Sequence, residues 1–171
     1  MTPIISIVGK SNVGKTTLLE KLIAELVSSG YRVAAIKHNK HGFDLDRPGK
    51  DTWRLARAGA SAVAIASAHQ LAVMREVEGE PALEELLPLL GDGYDIVLTE
   101  GYKNGPAPKV EVFRAGVYDS LLCGDEDCLI AVATDVEVET GAPQFPLDNA
   151  SALSDFIEEK FLKGPRRERT L

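Results

Sequence analysis

Cysteine is scarce in this chain of 171 residues: only Cys123 and Cys128 occur, so a disulfide scaffold is not the expected basis of the fold. Long apolar runs are absent too. No stretch approaches the roughly 20 residues that span a bilayer, so no membrane contact is expected. No leader-like segment precedes the first predicted strand, which makes the cytoplasm the expected compartment. Basic residues are in deficit, 19 against 26 acidic ones, for a net charge of −7. A surface of that sign repels phosphate backbones, so nucleic-acid binding is not expected and any attraction for phosphate has to be local.

A local attraction is present near the start. Residues 9–16 read Gly-Lys-Ser-Asn-Val-Gly-Lys-Thr, a complete G-x-x-x-x-G-K-S/T phosphate-binding loop, directly after the apolar run Ile4-Ile5-Ser6-Ile7-Val8. Gly9 and Gly14 let the backbone wrap closely around phosphate oxygens, and the amides of Lys10, Ser11, Asn12 and Val13 between them form an anion nest. Lys15 is expected to reach the β- and γ-phosphates and Thr16 to ligate Mg²⁺. The motif needs a strand before it and a helix after it. Residues 17–27, with leucine and isoleucine at helical spacing, supply the helix.

With 44% hydrophobic residues the chain suits one domain, expected over 1–162, followed by a polar tail over 163–171. Predicted strands follow at 32–37, 62–66, 70–75, 94–101, 110–113 and 129–135, with helices at 52–57 behind an Asp51 cap, from Pro81 onward, and over 150–162. Leu83, Leu86, Leu87 and Leu90 give the Pro81 helix a core-type stripe that Pro88 kinks or shortens. Continuous apolar strands alternating with amphipathic helices predict an α/β fold with a mostly parallel central sheet in three layers. In such sheets ligands gather at the carboxyl ends of the strands, where Gly9, His38, Glu100 and Asp135 are all expected.

A phosphate loop requires a second Mg²⁺ contact, normally a carboxylate ending a neighbouring strand. Glu100 fits best; Asp95 begins the same strand and belongs to the opposite edge. The segment 37–51 is dense in charge: Lys37, Lys40 and Lys50 suit phosphate, and Asp44, Asp46 or Asp51 suit Mg²⁺. That segment reads either as a nucleotide-sensing loop or as a solvated surface loop. His38 and His41, like the Cys123 and Cys128 pair, lack the further ligands a transition metal needs. The N/T-K-x-D segment that selects guanine in many GTPases is missing. Asp135 remains, as a guanine reader or as a turn residue. No glutamine is placed to orient water, and no arginine finger stands out among Arg47, Arg54 and Arg57.

The phosphate loop, the block from Lys37 to Thr52 and the run Thr99-Glu100-Gly101-Tyr102-Lys103 together resemble the MobB family of molybdopterin-guanine dinucleotide biosynthesis adaptors. The similarity runs from Ile4 to about Leu162 and includes 108–114. It implies a phosphate-loop NTPase fold and a homodimer that binds GTP and Mg²⁺, hydrolyses GTP weakly at most, and assists the guanylyltransferase that joins GMP to molybdopterin. Carried over by position, residues 9–17, from Gly9 to Thr17, hold phosphates, and Thr16 and Glu100, with Asp46, hold the metal. Lys37 is expected to face phosphate on the charge pattern of 37–51, apart from the resemblance. Where relatives of the wider class often carry lysine and two glycines, Lys10 here precedes Ser11 and Asn12, so a reach by Lys10 across a dimer interface is one expectation to test. Other readings are a small-molecule phosphoryl transferase, an ATP-dependent ligase and a metal-delivery GTPase.

Overall fold

The computed structural model describes residues 2–39, 42–43, 46–124 and 128–162. Lys40, His41, Asp44 and the tail over 163–171 lie outside them. The elements run β1 (Ile4–Val8), α1 (Lys15–Ser28), β2 (Val33–Lys37), α2 (Asp51–Arg57), β3 (Ala62–Ala66), β4 (Leu71–Arg75), α3 (Leu83–Leu86), β5 (Ile96–Glu100), β6 (Lys109–Phe113), β7 (Leu129–Thr134), β8 (Gln144–Pro146) and α4 (Ala150–Phe161). They form two compact units, Met1–His38 with Leu90–Leu171, and Asn39–Leu89.

The larger unit is built on a six-stranded sheet in the order β2-β5-β1-β6-β7-β8, and every pairing is parallel. The expected α/β architecture with a mostly parallel sheet is the one found. Ile5, Ile7, Leu98, Val110 and Val112 are fully buried at its centre, as continuous apolar strands in parallel sheets should be. α1 buries Leu18, Leu19, Leu22 and Leu26, spaced to keep one face inward, and packs against α4. Asn149 caps α4 by accepting from the Ala152 amide at 3.1 Å. Uniform strand direction brings the ends of β1, β2, β5, β6 and β7 to one edge. Asp95, at the start of β5, accepts instead from the Arg32 amide at 2.8 Å, at the opposite edge.

Two local features differ from the sequence expectation and a third, the shortening at Pro88, follows it. Asp51 is the first residue of α2 rather than its cap, and it pairs with Arg54 at 3.7 Å. The helix predicted from Pro81 shrinks to four α-helical residues followed by a 3₁₀ turn over Leu87–Leu90, because Pro88 cannot donate to a continuing α ladder. β8 was not predicted: three residues around Phe145, flanked by prolines, carry too little pattern to read.

In the smaller unit, β3 and β4 form a separate antiparallel pair, with Val63 opposite Met74 and Ala66 opposite Leu71. Register places Ala64, Ala66, Leu71 and Val73 on one face, and all four are exposed.

Candidate functional site

The loop after β1 takes a shape that only its residue types permit. Gly9 (φ 142°) and Gly14 (φ 101°) are left-handed, and a Cβ on Gly9 would stand 2.5 Å from the Val112 carbonyl oxygen. Asn12 (φ 64°) is a residue type that tolerates this region. The residue preceding α1 is Gly14, which caps with no side chain, and the first turn holds no acid. The helix therefore presents free amide donors and its positive dipole end to an anion. Lys15 Nζ donates to the Lys10 carbonyl at 2.7 Å and so lies across the loop. Burial lowers its pKa, Glu100 opposes the shift and Lys37 adds to it.

Glu100 ends β5, in register with Ile7 on one side and Lys37 on the other. Its carboxylate accepts from the Thr16 hydroxyl at 2.7 Å through Oε2 and meets Lys37 Nζ at 3.3 Å through Oε1, with 12% of the side chain exposed. A hydroxyl and a carboxylate in contact beside a lysine-bearing anion nest are the hard oxygen donors that suit Mg²⁺ bound with phosphate. Gly101 (φ 106°) lets the chain turn away close to His38, whose ring centre lies 4.8 Å from that of Tyr102 with the planes tilted by 38°.

A cleft of about 870 Å³ opens beside the loop. Gly14, Thr17 and Leu18 line one part of it, and Arg114, Asp135 and Leu147 another. Asp135 is presented by a turn in which the Thr134 hydroxyl donates to the Val136 carbonyl and accepts from the Val136 amide. Its Oδ1 accepts from the Ala115 amide at 2.9 Å, and its Oδ2 lies 3.7 Å from Arg114.

The structure thus brings together Lys15, Thr16, Lys37 and Glu100, and sets Thr17 and Asp135 along one cleft. Lys10 turns aside: its ammonium lies 4.8 Å from the centre of the Tyr118 ring. Asp46 belongs to the smaller unit, where its carboxylate accepts from the Arg47 amide at 2.8 Å. Cys123 is buried and Cys128 exposed, and neither is joined in a disulfide. Among the described residues no three His, Cys, Asp or Glu side chains group as metal ligands.

Two polar residues went unassigned by the sequence reading. Arg114 was noted only within the 108–114 run, yet it contacts both the phosphate loop and Asp135. Its place directly after a strand was the available signal. Glu111 is fully buried in β6 and accepts from the Tyr118 hydroxyl and from the Leu122 and Cys123 amides, fastening the 114–123 segment under the loop. Burial of Tyr118 itself, and then the Glu111 charge, push the Tyr118 hydroxyl pKa well up.

A parallel sheet whose first strand runs through a glycine-bounded anion nest into a helix, with a strand-end carboxylate on the threonine that follows the lysine, defines a phosphate-loop nucleotide-binding protein. The profile of the family described as Molybdopterin guanine dinucleotide synthesis protein B, MobB, matches residues 4–135, and the chain belongs to that family. It is 38% identical over 157 residues to the molybdopterin-guanine dinucleotide biosynthesis adapter protein of Haemophilus influenzae, spanning 91% of this chain and 88% of that one. Against the adapter protein of Escherichia coli K12 the identity is 37% over 164 residues, 93% of each chain. A crystal structure of molybdopterin-guanine biosynthesis protein B superposes with a TM-score of 0.72 at 29% identity, covering 94% of this chain and 99% of the other.

Proposed function

We propose that this chain is a GTP-binding adaptor in molybdopterin guanine dinucleotide biosynthesis, one that assists the guanylyltransferase and hydrolyses GTP slowly at most. Membership of the MobB family gives the pathway. The observation that carries the ligand is the Thr16–Glu100 contact at 2.7 Å beside Lys15, next to a cleft that Gly14, Thr17 and Asp135 line together. Thr16 and Glu100 would hold Mg²⁺; Asp46, the other ligand expected from the sequence, belongs to the smaller unit. The amides of residues 10–17, Lys15 and Lys37 would hold the phosphates, and Asp135 the guanine edge. The metal supplies charge neutralisation between phosphate oxygens when bound.

Binding is better supported than turnover. The sequence holds two glutamines, Gln70 and Gln144. The Gln144 amide is spent on Val138, donating at 2.8 Å and accepting at 3.0 Å, and Gln70 lies in the smaller unit. The exposed apolar face of the β3–β4 pair supports a homodimer, since two strands cannot bury both faces by themselves. Calorimetric titration with GTP and with ATP, each with and without Mg²⁺, tests the reading. GTP is expected to bind more tightly and to depend on Mg²⁺; equal affinity for the two nucleotides would remove Asp135 from the assignment. Added to a guanylyltransferase with molybdopterin and GTP, the chain should raise the yield of the dinucleotide.

A further inference from the structure

We infer that Arg114 is a positioning residue for base selection, tying the carboxylate of Asp135 to the phosphate loop so that both ends of a bound nucleotide are gauged against one frame. This rests on the reading of the cleft as a GTP site. Arg114 directly follows β6, the strand that pairs with β1 on one side and β7 on the other, so its side chain starts midway between the two parts it touches. Its Nε donates to the Val13 carbonyl at 3.4 Å inside the loop. One terminal nitrogen lies 3.7 Å from Asp135 Oδ2, and the other 3.7 Å from where a Cβ on Gly14 would stand. The next amide in the chain, that of Ala115, donates to the other oxygen of the same carboxylate at 2.9 Å.

Each oxygen of Asp135 thus has one partner from the 114–115 pair and keeps further acceptor capacity. A carboxylate oriented from behind in this way matches a planar edge with two adjacent N–H donors, as guanine offers through N1 and its 2-amino group. Adenine presents an acceptor at N1 and meets the carboxylate with repulsion. As a surface ion pair, with side chains 45% and 35% exposed, the Arg114–Asp135 contact contributes little energy. Its consequence is orientation. Arginine is required because its planar fork spans two acceptors, whereas a lysine serves them as a single point charge.

The test compares the chain and its R114A, R114K and D135N variants, titrated calorimetrically with the Mg²⁺ complexes of GTP, inosine triphosphate, which lacks the 2-amino group, and xanthosine triphosphate. D135N tests the base reading alone: GTP affinity should fall on the order of tenfold or more while xanthosine triphosphate gains. Unchanged affinities there would end the base reading, and this inference with it. With D135N behaving as expected, R114A should narrow the preference for GTP over inosine triphosphate on the order of three- to tenfold, and R114K should fall between R114A and the parent. A ratio of affinities is unaffected by any fraction of unfolded protein. Loss of both nucleotides by the same factor in R114A and R114K, or an unchanged ratio, would overturn the role while leaving the GTP site standing.

Discussion

Leu98 and Leu71 are both leucines in five-residue strands, yet one is fully buried and the other 72% exposed. Leu98 lies in β5, paired with β1 on one side and β2 on the other in a sheet of six parallel strands. Leu71 lies in a two-stranded antiparallel sheet whose Ala64, Ala66, Leu71 and Val73 face is bare in the single chain. The contrast separates two uses of a strand. β5 is held on both edges, so the carboxylate at its end is fixed with respect to Thr16 and Lys37. The β3–β4 pair offers apolar surface instead of geometry, the kind of surface on which association is tested.

Matched truncations give the sharpest test of that contrast. Leu98→Ala should cost about 3 kcal/mol in chemical denaturation, because buried leucines lose both transfer free energy and packing. Leu71→Ala should stay within about 0.5 kcal/mol at low protein concentration, where the face is uncovered. A larger loss that grows with concentration, together with a shift toward the monomer in sedimentation, would show that a second copy covers the hairpin. A large loss independent of concentration would break the comparison.

Lys15→Ala addresses the same division at the site. The lysine is partly desolvated; if it meets the phosphates as proposed, its removal should lower GTP affinity on the order of a hundredfold, since several charge-assisted hydrogen bonds are lost together. The denaturation midpoint should stay where it was or rise slightly. Affinity equal to that of the parent would move the phosphate site elsewhere.

How far the site could be read in advance follows the same line. Gly9, Lys15, Thr16 and Glu100 were legible because each stands at a fixed offset from an apolar strand, and parallel strands deliver their ends to one edge. Asp95 could be set apart from Glu100 by strand direction alone. Arg114 was not legible as a site residue: its meaning comes from β6 lying beside both β1 and β7, an order that non-consecutive pairing hides from the sequence. Glu111 was hidden for a different reason. A carboxylate inside an apolar run looks like a solvent-facing alternation until the amides that close on it are in place. The early end of α3 was legible, because Pro88 marks in the sequence where an α ladder has to stop.

The smallest expected effect is a proton. Burial depresses the Lys15 pKa below its ordinary 10.5; Glu100 works against the shift and Lys37 with it. Between the depressed value and 10.5 the unfolded chain binds more protons at this position than the folded one, so the Lys15 contribution to stability rises with pH across that window. A bound triphosphate brings negative charge to the ammonium and raises its pKa again. In the same window GTP binding should therefore take up a fraction of a proton, and affinity should decline as pH rises. Titrations at alkaline pH in two buffers of different ionisation enthalpy measure the uptake directly. It should vanish in Lys15→Ala measured at nucleotide concentrations high enough to saturate the variant. Uptake that persists there would assign the proton to another group.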